Sequence, residues 1–164
     1  MKVISFYSLD KVASVIYPIW NNKAASETDE EFLERIAEIV PQQMKWSIRY
    51  QEDTDIPDDY FDDAWIIGAE KIIVDIGKAR DIQYNNISKA RNYRLTELDS
   101  SEIEAWSKED KTKLAKIRVE KQKLRDLTIN LKDELKEIQD LEKLKNYWPG
   151  ILKIEELRTK LKLS

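Results

Sequence analysis

The spacing of apolar positions changes several times along the chain, and each change marks a predicted element. Residues 2–7, KVISFY, and 13–20, ASVIYPIW, are rich in β-branched and aromatic types and are separated by SLDK. They predict two short strands in a hairpin, with Pro18 confining the second to an edge or a strand end. In ETDEEFLERIAEIV, residues 27–40, Phe32, Leu33, Ile36, Ile39 and Val40 recur at three and four. This is one stripe of an amphipathic helix. Thr28 followed three residues later by Glu31 forms a capping-box signature, and Pro41 ends the run. MKWSIRY, residues 44–50, alternates Met44, Trp46, Ile48 and Tyr50 against polar positions and predicts a half-buried strand. The first 50 residues therefore predict a β-β-α-β unit.

An acidic stretch, QEDTDIPDDYFDDAW, follows at residues 51–65 and reads as a loop anchored by Tyr60, Phe61 and Trp65. KIIVD, residues 71–75, predicts a short strand apolar enough to be covered on both faces. Asp75 is a suitable N-cap for a helix running from Ile76 to about Leu98. Its stripe includes Ala79, Ile82, Ile87 and Ala90, with the two alanines allowing close approach by a neighbour. DSS at 99–101 predicts a stop, and Ser101 with Glu104 predicts a new capping box. The second helix then starts at Glu102 and carries Ile103, Trp106, Leu114, Ile117, Leu124, Leu131 and Leu135 on one seam. Thr128-Ile129-Asn130 is poor in helix propensity and leaves a break open there. YWPG at 147–150 is a stop, and ILKIEELRTKLKLS supplies a final amphipathic helix. Two long helices joined by about three residues pack as an antiparallel hairpin. The expected fold class is α+β: a small N-terminal unit over residues 1–70, then a long helical hairpin with short C-terminal helices over 71–164. The boundary is expected in the acidic loop or in IIGAE at 66–70.

Composition narrows the chemistry. The 164 residues contain no His and no Cys, 28 Lys and Arg, and 32 Asp and Glu, for a net charge of −4. Zinc and soft-metal sites, a Ser-His-Asp triad, a thiolate nucleophile and a disulfide framework are all excluded. The acidic balance predicts no nucleic-acid partner, and no apolar run approaches a membrane span. The N-terminus does not read as a signal peptide, which predicts a soluble chain. The acidic loop invites a calcium reading, but counted from Asp53 the sixth place holds Asp58 and the twelfth holds Ala64, not Gly and Glu. A metal-dependent enzyme built on residues 52–63 is therefore the less favoured reading, and neither a cofactor nor a catalytic pair is expected. The five tryptophans, Trp20, Trp46, Trp65, Trp106 and Trp148, stand at element ends or on apolar faces, as core or interface aromatics do. The basic run at 111–125 is interleaved with an apolar seam and followed by acid, which suits a solvated coiled-coil face.

The seam is the strongest functional signal. A stripe carrying Ile82, Ile87, Ala90, Leu114, Ile117, Leu124, Leu131 and Leu135 must be covered, by packing within the chain or at an interface. This points to a non-enzymatic protein that binds other proteins, or to a self-associating coiled-coil scaffold.

Several segments in order resemble a known family. They are Ile56-Pro57, then Phe61-Asp62-Asp63-Ala64-Trp65, then Val74-Asp75-Ile76-Gly77-Lys78-Ala79-Arg80-Asp81-Ile82. A helix from Arg91 to Asp99 follows, then Lys121-Gln122-Lys123-Leu124-Arg125-Asp126, and finally Trp148-Pro149. Over about residues 44–149 the chain resembles small proteins encoded by tailed bacteriophages among or beside their tail and tail-fibre genes, some of them named as phage tail assembly chaperones. It departs at Gly77, where that family usually has Pro, at Gln83, often His or Arg, and in the added residues 151–164. The resemblance implies phage tail or tail-fibre proteins as partners, either in a homo-oligomer or as single chains. It also implies a location in the host bacterial cytoplasm during assembly or in the virion. It brings no catalytic residue.

Overall fold

The computed structural model describes residues 1–8, 12–155 and 157, and its fold is α+β. Among the described residues, two units divide at Ala79 and Arg80, within a helix and past the expected boundary at residue 70.

In the first unit β1 (Lys2–Tyr7) is the centre of a three-stranded antiparallel sheet, flanked by β2 (Ala13–Ile16) and β3 (Arg49–Glu52). Ile4 stands opposite Ile16 on one side and Tyr50 on the other. Val3, Ile4 and Ser5 are all buried, so the middle of β1 is covered on both faces. The β1–β2 hairpin agrees with the sequence expectation. Its connecting residues 9–11 lie outside the described ones.

Helix α1 (Asp29–Ala37) packs Leu33 and Ala37 onto Ile4, with Ile16, Trp20, Ile36 and Ile48 closing around them. Its start is as the sequence predicts: Glu31 N–H donates to Thr28 Oγ1 at 3.2 Å, and Thr28 N–H donates to Glu31 Oε2 at 2.8 Å. Just upstream, the Arg35 guanidinium clamps Glu27 through two bonds of 2.8 and 2.9 Å. Ile39 falls past the helix and is exposed rather than part of the stripe.

The strand expected at 44–50 is instead a 3-10 segment, Gln42–Ser47, and β3 begins only at Arg49. Pro41 accepts from Met44 N–H at 2.8 Å, and Ser47 Oγ donates back to Met44 O at 2.7 Å. These local bonds hold the backbone in turns, and Trp46 is left 70% exposed. Alternation by itself does not distinguish a strand from a chain turning at every third residue.

The end of the acidic stretch forms β4 (Trp65–Ile67), which pairs antiparallel with β5 (Ile72–Val74). The segment expected as a domain boundary is therefore a hairpin turn. At Gly68 the turn closes so tightly that a Cβ would stand 2.8 Å from Lys71 O. Ile73 is exposed, so β5 is covered on one face, not two. Gln51 ties the two sheets: its buried Oε1 accepts from Ser5 Oγ at 3.1 Å and from Ile72 N–H at 2.9 Å. Tyr7 adds a second tie, its hydroxyl accepting from Ile67 N–H at 3.0 Å.

Helix α2 (Ile76–Ser107) begins at Asp75, whose Oδ1 accepts from Gly77 and Lys78 N–H at 2.8 and 3.1 Å. It runs straight through the stop expected at 99–101. Ser100 Oγ bonds back to Thr96 O within the helix, and Asp99 and Glu102 are held by Lys121 of the next helix. Tertiary pairing thus overrides the poor local propensity of DSS. The turn lies instead at residues 108–110. There Asp110 N–H reaches Ala105 O at 2.9 Å and Glu109 N–H reaches Trp106 O at 3.1 Å. This is a Schellman closure, with Glu109 at φ 54 where glycine is usual. Asp110 then caps α3 (Lys111–Asp126) by accepting from Lys113 N–H at 2.9 Å. The three-residue connection was expected, but nine residues earlier in the chain.

Helix α4 (Thr128–Lys136) follows after Leu127, which keeps helical angles and donates to Lys123 O at 3.1 Å. The weak stretch there produces an interruption of one residue. Helix α5 (Leu141–Lys145) has its own cap at Asp140. A short 3-10 turn, Gly150–Leu152, leads to buried Leu152 and Leu157, and most of the final helix expected from the sequence lies outside the described residues.

Two measurements test these local arguments. The αL region costs a non-glycine residue about 1–2 kcal/mol. Glu109→Gly should therefore raise the unfolding free energy by about 0.5–1 kcal/mol, part of the gain being offset by a freer unfolded chain, and Glu109→Val should lower it. The Glu27 carboxyl is held down to about 2 from an ordinary 4.5, first by the Arg35 hydrogen bonds. A depressed folded-state value stabilises above the unfolded value and loses that contribution as pH falls towards the folded one. Urea midpoints of the parent and Glu27→Gln should thus differ at neutral pH and converge on acidification to about pH 2.

Candidate interaction surface

Within the second unit, the residues expected to form the seam are mostly interior. Ile87, Ala90, Ile117, Leu124, Leu131 and Leu135 are buried within the single chain, while Ile82 and Leu114 are half-buried. Of the two roles open to them, packing accounts for these six. On α2 the buried positions Gln83, Ile87, Ala90, Leu98 and Ala105 share one face. The hairpin therefore closes its own stripe, and any docking surface must be found among residues it leaves out.

Among such residues in this unit, Ile103, at 71% exposure, and Trp106, at 73%, are neighbours, whereas Ile129, at 72%, stands apart on α4. Ile103 and Trp106 lie three apart on the last turns of α2 and share a face. Leu114, on the first turns of α3, is the half-buried neighbour across the hairpin. Two hollows of about 520 and 550 Å3 both have Trp106 and Leu114 in their walls. The apolar end of the hairpin is thus a ridge with a depression on either side.

The rim is charged and already paired. Arg118 Nε meets Glu102 at 3.2 Å, and Glu104 takes Lys108 at 2.6 Å and Lys113 at 3.3 Å. The Glu102 carboxyl is held below its ordinary range by hydrogen bonds from Lys121 and then Arg118. That of Glu104 is lowered by Lys108 and then Lys113. Buried Lys121 is pushed up by Asp99 and Glu102. With these side chains fixed in the free chain, apolar contact at the tip would not first have to order them.

Sequence reasoning missed this tip because it placed Trp106 in the first turns of the second helix, inside the seam. The overlooked signal is Asp110 three residues before Lys113, a better cap than Ser101 once Asp99 and Glu102 are given a cationic partner.

The first half of the acidic loop is otherwise engaged. Asp53 binds the N-terminal ammonium at 2.8 Å, Asp55 binds Lys71 at 3.3 Å, and Asp58 accepts from Tyr60 N–H at 2.8 Å. Among the described residues there is no group of three or more Asp or Glu placed to hold a metal ion, and no helix is long and apolar enough to cross a membrane. The tryptophans divide: Trp20 packs on Phe32 with centroids 5.1 Å apart, whereas Trp46 and Trp106 are exposed. Trp46 leans on Tyr7 at 5.8 Å beside a hollow of about 410 Å3 that Met44 and Ile66 also line.

No family model matches the chain, and no curated protein or solved structure matches it either.

The division between seam and tip predicts opposite responses to truncation. Leu124→Ala removes fully buried methyl groups and should cost about 2–5 kcal/mol in denaturant unfolding. Trp106→Ala should change stability by about 0.5 kcal/mol or less, as exposed substitutions do.

Proposed function

We propose that the protein is a non-enzymatic bacteriophage assembly or structural protein that binds tail or tail-fibre proteins through the apolar end of its helical hairpin. The observation that carries this reading is the contrast between a closed seam and an open tip. The hairpin covers its own stripe, yet Ile103 and Trp106 stand in solvent beside two hollows. Large aromatics set in a pocketed, pre-paired surface are what protein interfaces use as anchors. The phage setting rests on the ordered motifs from Ile56-Pro57 to Trp148-Pro149. The alternative, a scaffold that only self-associates, would need this tip to meet its own copy.

The test is co-expression with phage tail and tail-fibre proteins, followed by affinity capture and measurement of soluble fibre. Co-elution with one of them should fall at least tenfold in Ile103→Ser/Trp106→Ala, with circular dichroism unchanged. Absence of any co-eluting tail protein, or binding indifferent to the double variant, would sink the proposal.

A further inference from the structure

Charge is divided unequally between the two units. Residues 1–79 carry 8 Lys and Arg against 16 Asp and Glu, a net of −8, whereas residues 80–164 carry 20 against 16, a net of +4. A bipolar chain of this kind attracts a second copy when unlike parts face each other and repels it when like parts do. Each part also offers a local surface suited to such a contact.

In the second unit a trough of about 630 Å3 lies along α3, away from the Trp106 ridge. Its floor is apolar, made by Ala115, Ile151 and Val119, the last 57% exposed. Lys116, Lys123 and Lys153 line it, and none of the three makes an ion pair among the described residues. The lone acid there, Glu120, is taken by Arg94 at 3.3 Å. The trough is therefore an apolar strip bordered by three uncompensated cations.

In the first unit the 3-10 segment Asp59–Ala64 displays Asp59, Asp62 and Asp63, all exposed and without a cation among the described residues. Asp59 and Asp62 stand on either side of a kink at Phe61, where φ −116 and ψ 36 leave helical geometry. Ile56, Pro57 and Tyr60 are half-buried beside them and present apolar surface. Three carboxylates with apolar neighbours, none with a cation among the described residues, complement three ammoniums with no carboxylate among them over an apolar floor.

We propose that the acidic segment Ile56–Asp63 of one copy seats in the α3 trough of another, giving head-to-tail self-association. The two halves of the contact are different patches, so the interface is heterologous and repeats: each copy offers a trough to one neighbour and a loop to the next, closing into a ring or extending as a filament. The contact is separate from the apolar tip, and it stands or falls independently of any tail-protein partner.

Sedimentation velocity on the full chain tests it. At low salt the weight-average mass should rise with concentration, and the association should weaken at least tenfold near 1 M salt, where the screening length falls to about 3 Å. Lys116→Glu/Lys123→Glu and Asp59→Lys/Asp62→Lys should each sediment as single chains, because each opposes like charges at the contact. Mixing the two in equal amounts should restore assembly, since every junction again pairs opposite charges, and no folding defect predicts that rescue. Trp106→Ala should assemble as the parent does. A parent chain that stays monomeric at low salt would overturn the proposal. So would charge-reversed variants that assemble unaltered, a mixture that stays monomeric, or an assembly lost in Trp106→Ala but kept in the lysine variants.

Discussion

The antiparallel register of α2 against the helices after it is the constraint on which the second unit depends, and polar side chains fix it. Arg80 donates to Ile138 O at 2.9 Å, Gln83 to Tyr147 O at 2.8 Å, and Arg91 to Thr128 Oγ1 at 3.0 Å. Further along, Arg94 meets Glu120, Asp99 meets Lys121, and Glu104 meets Lys113. From Arg91 to Glu104 on α2 the partners run back from Thr128 on α4, through Glu120 and Lys121, to Lys113 on α3. Apolar stripes alone tolerate sliding, because one leucine substitutes for another with little change in buried area. A ladder of directional bonds does not slide, since a shift of one turn would break all of them and strand buried groups such as Gln83 and Lys121. The same bonds serve the helix ends: Arg80 satisfies a carbonyl just past α4, and Gln83 satisfies one just past α5.

This ladder also explains which parts of the fold were legible in the sequence. The capping box at Thr28, the cap at Asp75 and the hairpin of β1 and β2 are local devices, each complete within a few residues. The helical hairpin was legible as a whole because its apolar spacing persists through Leu135. The position of its turn was not. Ser101 with Glu104 has the form of a cap, and only the presence of Lys121 some 20 residues later, holding Asp99 and Glu102 from across the hairpin, makes those residues helix interior. In the first unit, β4 was hidden because its three residues follow directly on the acidic stretch. The pairing that makes them a strand comes from Ile72–Val74. The missed features are thus those whose cause lies far away in sequence.

The candidate surface was legible in part, for a related reason. Periodicity identifies residues that must be covered, and Leu124, Leu131 and Leu135 are covered. It does not say which apolar residues remain after the chain has covered what it can. Ile103 and Trp106 follow the same spacing as the seam, yet on the continuous α2 they lie on a different face from buried Leu98 and Ala105. Moving the turn by nine residues changes which side of the hairpin a tryptophan occupies, and so separates packing from docking.

Net charge misleads in the same way. A total of −4 suggests a weakly acidic surface throughout, but it is the residue of two opposed parts. In the second unit Glu102, Glu104 and Glu120 are drawn into the ladder and the rim of the tip, while Lys116, Lys123 and Lys153 make no ion pair among the described residues. In the first unit most described cations are paired instead: Lys2 by Glu30, Lys23 by Asp29, Arg35 by Glu27, Lys45 by Glu38 and Lys71 by Asp55. Asp59, Asp62 and Asp63 remain, with Glu34 and Glu70, among the described acids that no cation takes. Internal pairing therefore does more than stabilise each part. By consuming the minority charge of each, it leaves opposite excesses exposed, and opposite excesses on separate patches define a direction in which copies can follow one another.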